Sequence, residues 1–150
     1  MNWTCVPFDA LNLQQLYDVL ALRSEVFVVE QQCVFLDIDR LDPQTWHLLG
    51  NGADGALQAY ARLIPPGVKT PDAVIGRVVT SPAARGGGTG RALMAEAVAQ
   101  CERLWRGHSI TLHAQAHLER FYGSFGFVQV AEPYIEDGIP HVEMRKETSA

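Results

Sequence analysis

Two groups of residues in this chain have types and spacing suited to chemistry. The first is Arg85-Gly86-Gly87-Gly88-Thr89-Gly90-Arg91, which follows the β-branched residues Val74, Ile75, Val78 and Val79 and precedes a helical stripe of Leu93, Ala97, Cys101 and Leu104. A glycine turn that opens a helix suits an anion. The first helical turn has N–H groups without partners, its dipole is positive there, and residues without Cβ let a phosphate come close. The second group centres on Tyr122, which shares helical spacing with Leu118, Phe121 and Phe125 and is preceded by the amide side chain of Gln115. A phenol keeps its proton near neutral pH and can donate it to a leaving group. On spacing alone, Tyr122 reads more readily as a core residue.

The glycine turn is not one of the two commonest phosphate loops. A P-loop requires Lys followed by Ser or Thr after its last glycine, and Arg91 breaks the Gly-x-Gly-x-x-Gly pattern of dinucleotide-binding folds. Glu30, Glu136, Asp137, His113 and His141 are candidate proton acceptors, with Glu30 and His141 ranked first. Asp37, Asp39, Asp42 and His47 lack the spacing of a calcium loop, so no metal is expected.

Arg85-x-x-Gly88-x-Gly90 after a β-branched strand resembles the pyrophosphate motif of the GNAT family of acetyl-CoA-dependent N-acetyltransferases. Phe121-Tyr122-Gly123-Ser124-Phe125-Gly126-Phe127 is similar to that family's Leu-Tyr-x-x-Leu-Gly-Phe helix. The stretches Val26 to Cys33, Ala114 to Leu118 and Glu136 to His141 further resemble an ElaA-type subgroup, over most of the chain.

The resemblance implies a GNAT fold and acetyl-CoA as co-substrate. It implies that Arg85, Gly86, Gly87, Gly88, Thr89, Gly90 and Arg91 hold the pyrophosphate, while the strand backbone at Arg77, Val78 and Val79 pairs with the pantetheine arm. It also puts Gln115 where the family has a coenzyme-binding asparagine, and Tyr122 beside the sulfur as proton donor. Two functions follow as expectations. One is acetyl transfer to a primary amine in a ternary complex; the alternative is a coenzyme-A-binding regulatory or interaction module with little turnover.

The elements that must position these residues follow from periodicity. Trp3–Phe8 reads as an edge strand, and Asn12 as the cap of a helix to Val28 whose stripe is Leu13, Leu16, Leu20 and Phe27. Residues 31–45 read as an acidic loop. A hairpin joins Trp46–Asn51 to Leu57–Ile64, where Leu57, Ala59, Ala61 and Leu63 form a buried face against a polar one. The glycine turn leads into a helix ending before Gly107. Ile110–Ala116 is a strand, Leu118–Phe125 a helix, and strands at Val128–Val130 and His141–Lys146 follow. The expected fold class is α/β (α+β), with a mixed sheet of about six to seven strands flanked by helices in a single domain over residues 1–150.

A length of 150 residues suits one domain, and Cys5, Cys33 and Cys101 form neither a disulfide framework nor a zinc spacing. A cytoplasmic location is expected, with no membrane span. The net charge of −5 and the lack of a basic run disfavour nucleic acid. Asp37, Asp39 and Asp42, with Glu136 and Asp137, make a cationic amine the preferred acceptor if they border the cleft.

Overall fold

The computed structural model describes residues 1–147. Its strands are β1 (Asn2–Pro7), β2 (Trp46–Asn51), β3 (Leu57–Ile64), β4 (Ala73–Thr80), β5 (Ile110–Gln115), β6 (Val128–Gln129), β7 (Tyr134–Glu136) and β8 (Ile139–Lys146). Three α-helices, α1 (Leu13–Arg23), α2 (Thr89–Leu104) and α3 (Glu119–Gly123), pack around the single sheet. Strand order is β1-β2-β3-β4-β5-β8-β6, with β7 also paired to β8. Every pairing is antiparallel except β4 with β5. The sheet thus has eight strands, one more than the upper expectation. β7 is three residues long, too short to show a period, and only its turn at Asp137-Gly138 is visible in the sequence.

One face of the sheet makes the larger core. Leu93, Met94, Ala97 and Cys101 of α2 and Tyr122 of α3 pack on Ala59, Ala61 and Leu63 of β3, Ile75 of β4, Leu112 and Ala114 of β5, and Val142 and Met144 of β8. Truncating one of its large aliphatic side chains to Ala removes burial and leaves a cavity, at a cost of about 2–5 kcal/mol. The helical stripe of α2 and the alternation of β5 and β8 therefore meet as the sequence predicts.

The opposite face departs from expectation. Asn12 does cap α1, accepting from the Gln15 N–H at 2.7 Å while the Gln15 side chain accepts from the Asn12 N–H at 2.9 Å, a reciprocal capping box. The stripe it buries, however, is Val19, Leu22, Arg23 and Val26, and Leu13 and Tyr17 stay exposed. The α-helix also stops at Arg23 and continues as a π-helical segment, Ser24–Glu30. The face of β3 expected to be polar and exposed is buried as well, with Tyr60 and Arg62 at 0% and 2% exposure. One cause underlies both corrections. Beside the apolar cluster of Val19, Leu22, Val26, Leu49, Tyr60 and Val79, the space between α1 and the sheet holds paired charges, which a count of apolar residues cannot anticipate.

Candidate functional site

The site begins where the sheet comes apart. β4 and β5 pair only at Ala73 with Ile110 and Val74 with Thr111, and no further pairing joins them among the described residues. Beyond Val74 the edge of β4 that faces β5 is left open.

β4 is also bulged there. Tyr60 faces Val79 and Arg62 faces Gly76, so Arg77 and Val78 stand where β3 has Ala61 alone. The extra residue reverses the alternation: Ile75 and Val78 pack toward α2, whereas Val79 packs toward α1. Arg77 has a φ of 51°, a left-handed conformation that costs a non-glycine residue about 1–2 kcal/mol. Its side chain goes toward α1, where Nε donates to Asp37 Oδ1 at 2.7 Å and Nη2 to the Asp37 carbonyl at 3.1 Å.

β4 leads through Ser81 and a short turn at Pro82–Ala84 to the glycines. Gly86 and Gly88 have φ values of 90° and 80°, which only glycine adopts freely, and Gly88 is the N-cap of α2. That cap brings no side-chain acceptor, so the first-turn amides of α2 stay uncapped. A Cβ added at Gly86, Gly87, Gly88 or Gly90 would meet nothing within 4 Å. The turn is therefore an open cradle of N–H groups at a positive helix end, which fits a pyrophosphate. Arg91 leaves this cradle, stacking on Phe121 and Phe125 at 5.5 and 5.3 Å, and its Nη1 donates to Ser124 Oγ at 3.3 Å. That contact ties the start of α2 to α3.

Tyr122 lies on α3, which packs on β5, one of the two strands that bound the gap. It is 8% exposed and packs edge-on against Phe121. Burial pushes its phenol up to about 12, and the hydroxyl forms no hydrogen bond to another described residue. It is thus core, as its spacing suggests, and a phenol that keeps its proton at neutral pH. Gln115 ends β5 and is the register partner of His141 on β8.

The candidate bases differ in what holds them. Both Glu30 oxygens accept from the Arg85 guanidinium, at 2.7 and 2.8 Å, and the hydrogen bonds and charge of Arg85 hold its carboxyl below the usual range. His141 donates from Nδ1 to the Ile139 carbonyl at 2.8 Å and stacks on Tyr134. Its Nε2 points toward Glu136 Oε2, 3.9 Å away. The Tyr134 hydroxyl is 2.8 Å from His113 Nδ1, so the two histidines flank one tyrosine that sequence reading did not single out. Burial pushes the His113 imidazole down. Cys33 is a protonated thiol, raised by burial and by Asp137.

Residues 31–45 form the irregular stretch expected, with one short helical turn at Asp42–Gln44, but their carboxylates are not free. Asp37 and Asp42 are 5% exposed, and the loop carboxylates are matched by three arginines. Arg23 donates to Asp37 at 2.8 Å and to Asp42 at 2.9 Å; Arg62 donates to Asp42 at 2.9 Å and to both oxygens of Asp39 at 2.8 Å. Burial opposes the charge on Asp42, but hydrogen bonds from Arg23 and Arg62 outweigh it and hold the carboxyl low. The same balance, led by Arg62, holds Asp39 low. His47 donates from Nε2 to the Asp42 carbonyl at 3.0 Å and accepts at Nδ1 from the Tyr60 hydroxyl at 2.7 Å, and burial pushes its imidazole down. These residues are a buried structural network, and the loop offers no surplus negative charge to a ligand. Among the described residues, no group of three His, Cys, Asp or Glu side chains is arranged to hold a metal, and no helix is long and apolar enough to cross a membrane.

An opened β4–β5 seam, a bulged β4 and a glycine cradle at the head of α2 define an acyltransferase fold, and comparison agrees. A family profile described as an acetyltransferase (GNAT) domain matches residues 40–148, and the chain belongs to that family. Protein ElaA of Escherichia coli is 44% identical over 149 residues, covering 98% of this chain and 97% of that protein. The crystal structure of an acyl-CoA N-acyltransferase from Pseudomonas aeruginosa superposes with a TM-score of 0.93 at 49% identity, over 97% of this chain and 99% of that one. The crystal structure of E. coli ElaA gives 0.91 at 43% identity, over 97% and 99%.

Proposed function

We propose that this chain is an acetyl-CoA-dependent N-acetyltransferase that moves an acetyl group to a primary amine of a small molecule or peptide by direct transfer in a ternary complex. The observation that carries the reading is the continuity of the open β4 edge with the uncapped glycine turn of α2. An extended arm of amides ending in a pyrophosphate matches that path. Gly86, Gly87, Gly88 and Gly90 would receive the pyrophosphate, and the backbone of residues 77–79 the arm.

The bound thioester supplies an electrophilic carbonyl and a thiolate leaving group. Of Val78 and Val79, Val79 pairs with Tyr60 of β3, so the N–H of Val78 is the donor we assign to the carbonyl oxygen as charge develops. Tyr122 holds the proton that the thiolate needs, and its raised pKa keeps that proton in place until then. His141 takes the proton of the attacking amine. Its Nδ1–H is fixed on Ile139, which leaves Nε2 as the acceptor, whereas Glu30 is occupied by Arg85 and is the weaker base.

A cationic amine is the acceptor we favour, now on narrower support: the exposed Glu136 carboxylate beside His141. A cytoplasmic setting suits the three free cysteines and the co-substrate. Release of free thiol from acetyl-CoA, measured against a panel of cationic and neutral amines with both substrates varied, tests the reading. Intersecting double-reciprocal lines are expected. No amine-dependent thiol release would overturn it in favour of a binding module, and parallel lines would overturn direct transfer.

A further inference from the structure

We propose that Asp37 is a positioning residue of this site, acting through Arg77 to hold the β4 bulge in the conformation that aims the Val78 amide into the open seam. The inference rests on the reading of that seam as the acetyl-CoA site.

Arg77 is the residue on which the bulge turns, and it is one for which a φ of 51° is unfavourable. Such a conformation persists only where its surroundings over-determine it. Here they do so through the side chain. Asp37 Oδ1 and the Asp37 carbonyl both accept from the Arg77 guanidinium, Asp39 Oδ2 lies 3.5 Å from Nη2, and Phe35 stacks at 5.8 Å. Asp37 is itself immobilised from the other side. Its Oδ2 accepts from Arg23 Nε at 2.8 Å, and its carbonyl accepts from Arg23 Nη2 at 3.1 Å.

The carboxylate is thus a buried bridge between α1 and β4, and every one of its oxygens is committed. Without the bulge, strand alternation would turn the Arg77 side chain toward α2 and its apolar core, so the clamp and the bulge require each other. The next residue, Val78, is the one whose N–H the site needs; it has no register partner on β3 or β5, whereas Val79 returns to the ladder opposite Tyr60. Amide donors stabilise developing charge only when they are fixed before the reaction, and a displacement on the order of 1 Å is costly.

The main test is Arg77→Met, which keeps the stem of the side chain and leaves Asp37 paired with Arg23. The protein should stay folded, the Val78 amide resonance should move, and kcat should fall at least about tenfold, with the Kd of coenzyme A rising by a smaller factor. Arg77→Gly is the companion variant, because glycine takes the same φ without strain and preserves folding while removing the clamp. It should lose kcat similarly. An unmoved Val78 amide in a folded variant would overturn the proposal. So would a moved amide with kcat within twofold of wild type. Wild-type protein inactive with every amine would overturn the acetyltransferase reading instead, and the amide shifts would then decide the clamp alone.

Discussion

Arg85, the first residue of the glycine turn, closes a two-pronged ion pair on Glu30 at the end of the π-helical segment, with Nη2 to Oε1 at 2.7 Å and Nη1 to Oε2 at 2.8 Å. Both side chains are more than 40% exposed, so water and salt screen the pair and it exchanges readily. A pyrophosphate held at the turn as proposed would compete with Glu30 for the same guanidinium.

Removing that competitor separates the two candidate bases. Glu30→Gln should tighten coenzyme A severalfold in calorimetric titration and leave kcat within about threefold, whereas His141→Asn should lower kcat by roughly 10²-fold or more. A large loss of kcat in Glu30→Gln alone would move the base role to Glu30.

Tyr122→Phe removes one hydroxyl from a site that already packs as core. Coenzyme affinity and the melting temperature should barely change, and turnover should fall by about 10²- to 10⁴-fold. Parallel kinetics and thermal melts check it; full turnover would reduce Tyr122 to packing.

Gly90→Glu makes a sharper test of the cradle. A glutamate in the first turn suits the helix dipole, and space is open around Gly90, so α2 should form as before. The carboxylate would nonetheless occupy the anion's place, and coenzyme A binding should disappear from the titration. Unaltered binding in a folded variant would take the turn out of the site.

The arginine–aspartate network makes the opposite prediction to a free acidic loop. Asp42→Ala leaves Arg23 and Arg62 short of a buried partner and should destabilise by about 3–5 kcal/mol, read as a lower denaturation midpoint. A loss below about 1 kcal/mol would contradict the burial.

The same network sets an acid limit. Asp39 and Asp42 have folded pKa values below the ordinary carboxylate value, so their stabilisation is fully present above about pH 4, the unfolded value, and is lost as pH falls toward the folded ones. The melting temperature should therefore decline below about pH 4, and Asp39→Asn should make that decline shallower. An equal slope in the two proteins would exclude Asp39 as a contributor.

The sequence made the α2 side legible because it obeys simple rules. Leu93, Ala97 and Cys101 recur at helical spacing, Leu112 and Ala114 alternate, and Gly88 announces a cap that the structure shows at φ 80°. The α1 side obeys pairing rules instead. Arg23, Arg62 and Arg77 sit among apolar residues, and their partners are 14 to 40 residues away, so no local pattern records them. The available hint was an arginine next to apolar residues in each of three elements. Likewise Tyr134 gained its place between His113 and His141 from the pairing of β7 with β8, which three residues cannot disclose.

Only two register pairs join β4 to β5, so the sheet is mechanically two plates, β1 to β4 and β5 to β8, meeting at a short seam. A ligand whose own amides lie along that seam would complete the weave, and part of its binding energy would become cohesion between the plates. The folded chain is in this sense a structure one strand short. Its melting temperature should climb with coenzyme A concentration, by an amount corresponding to about 2.7 kcal/mol at a hundredfold excess over Kd. Hydrogen exchange along residues 75–80 should slow in step, and an unchanged exchange rate there in the bound protein would mean the seam had not been filled.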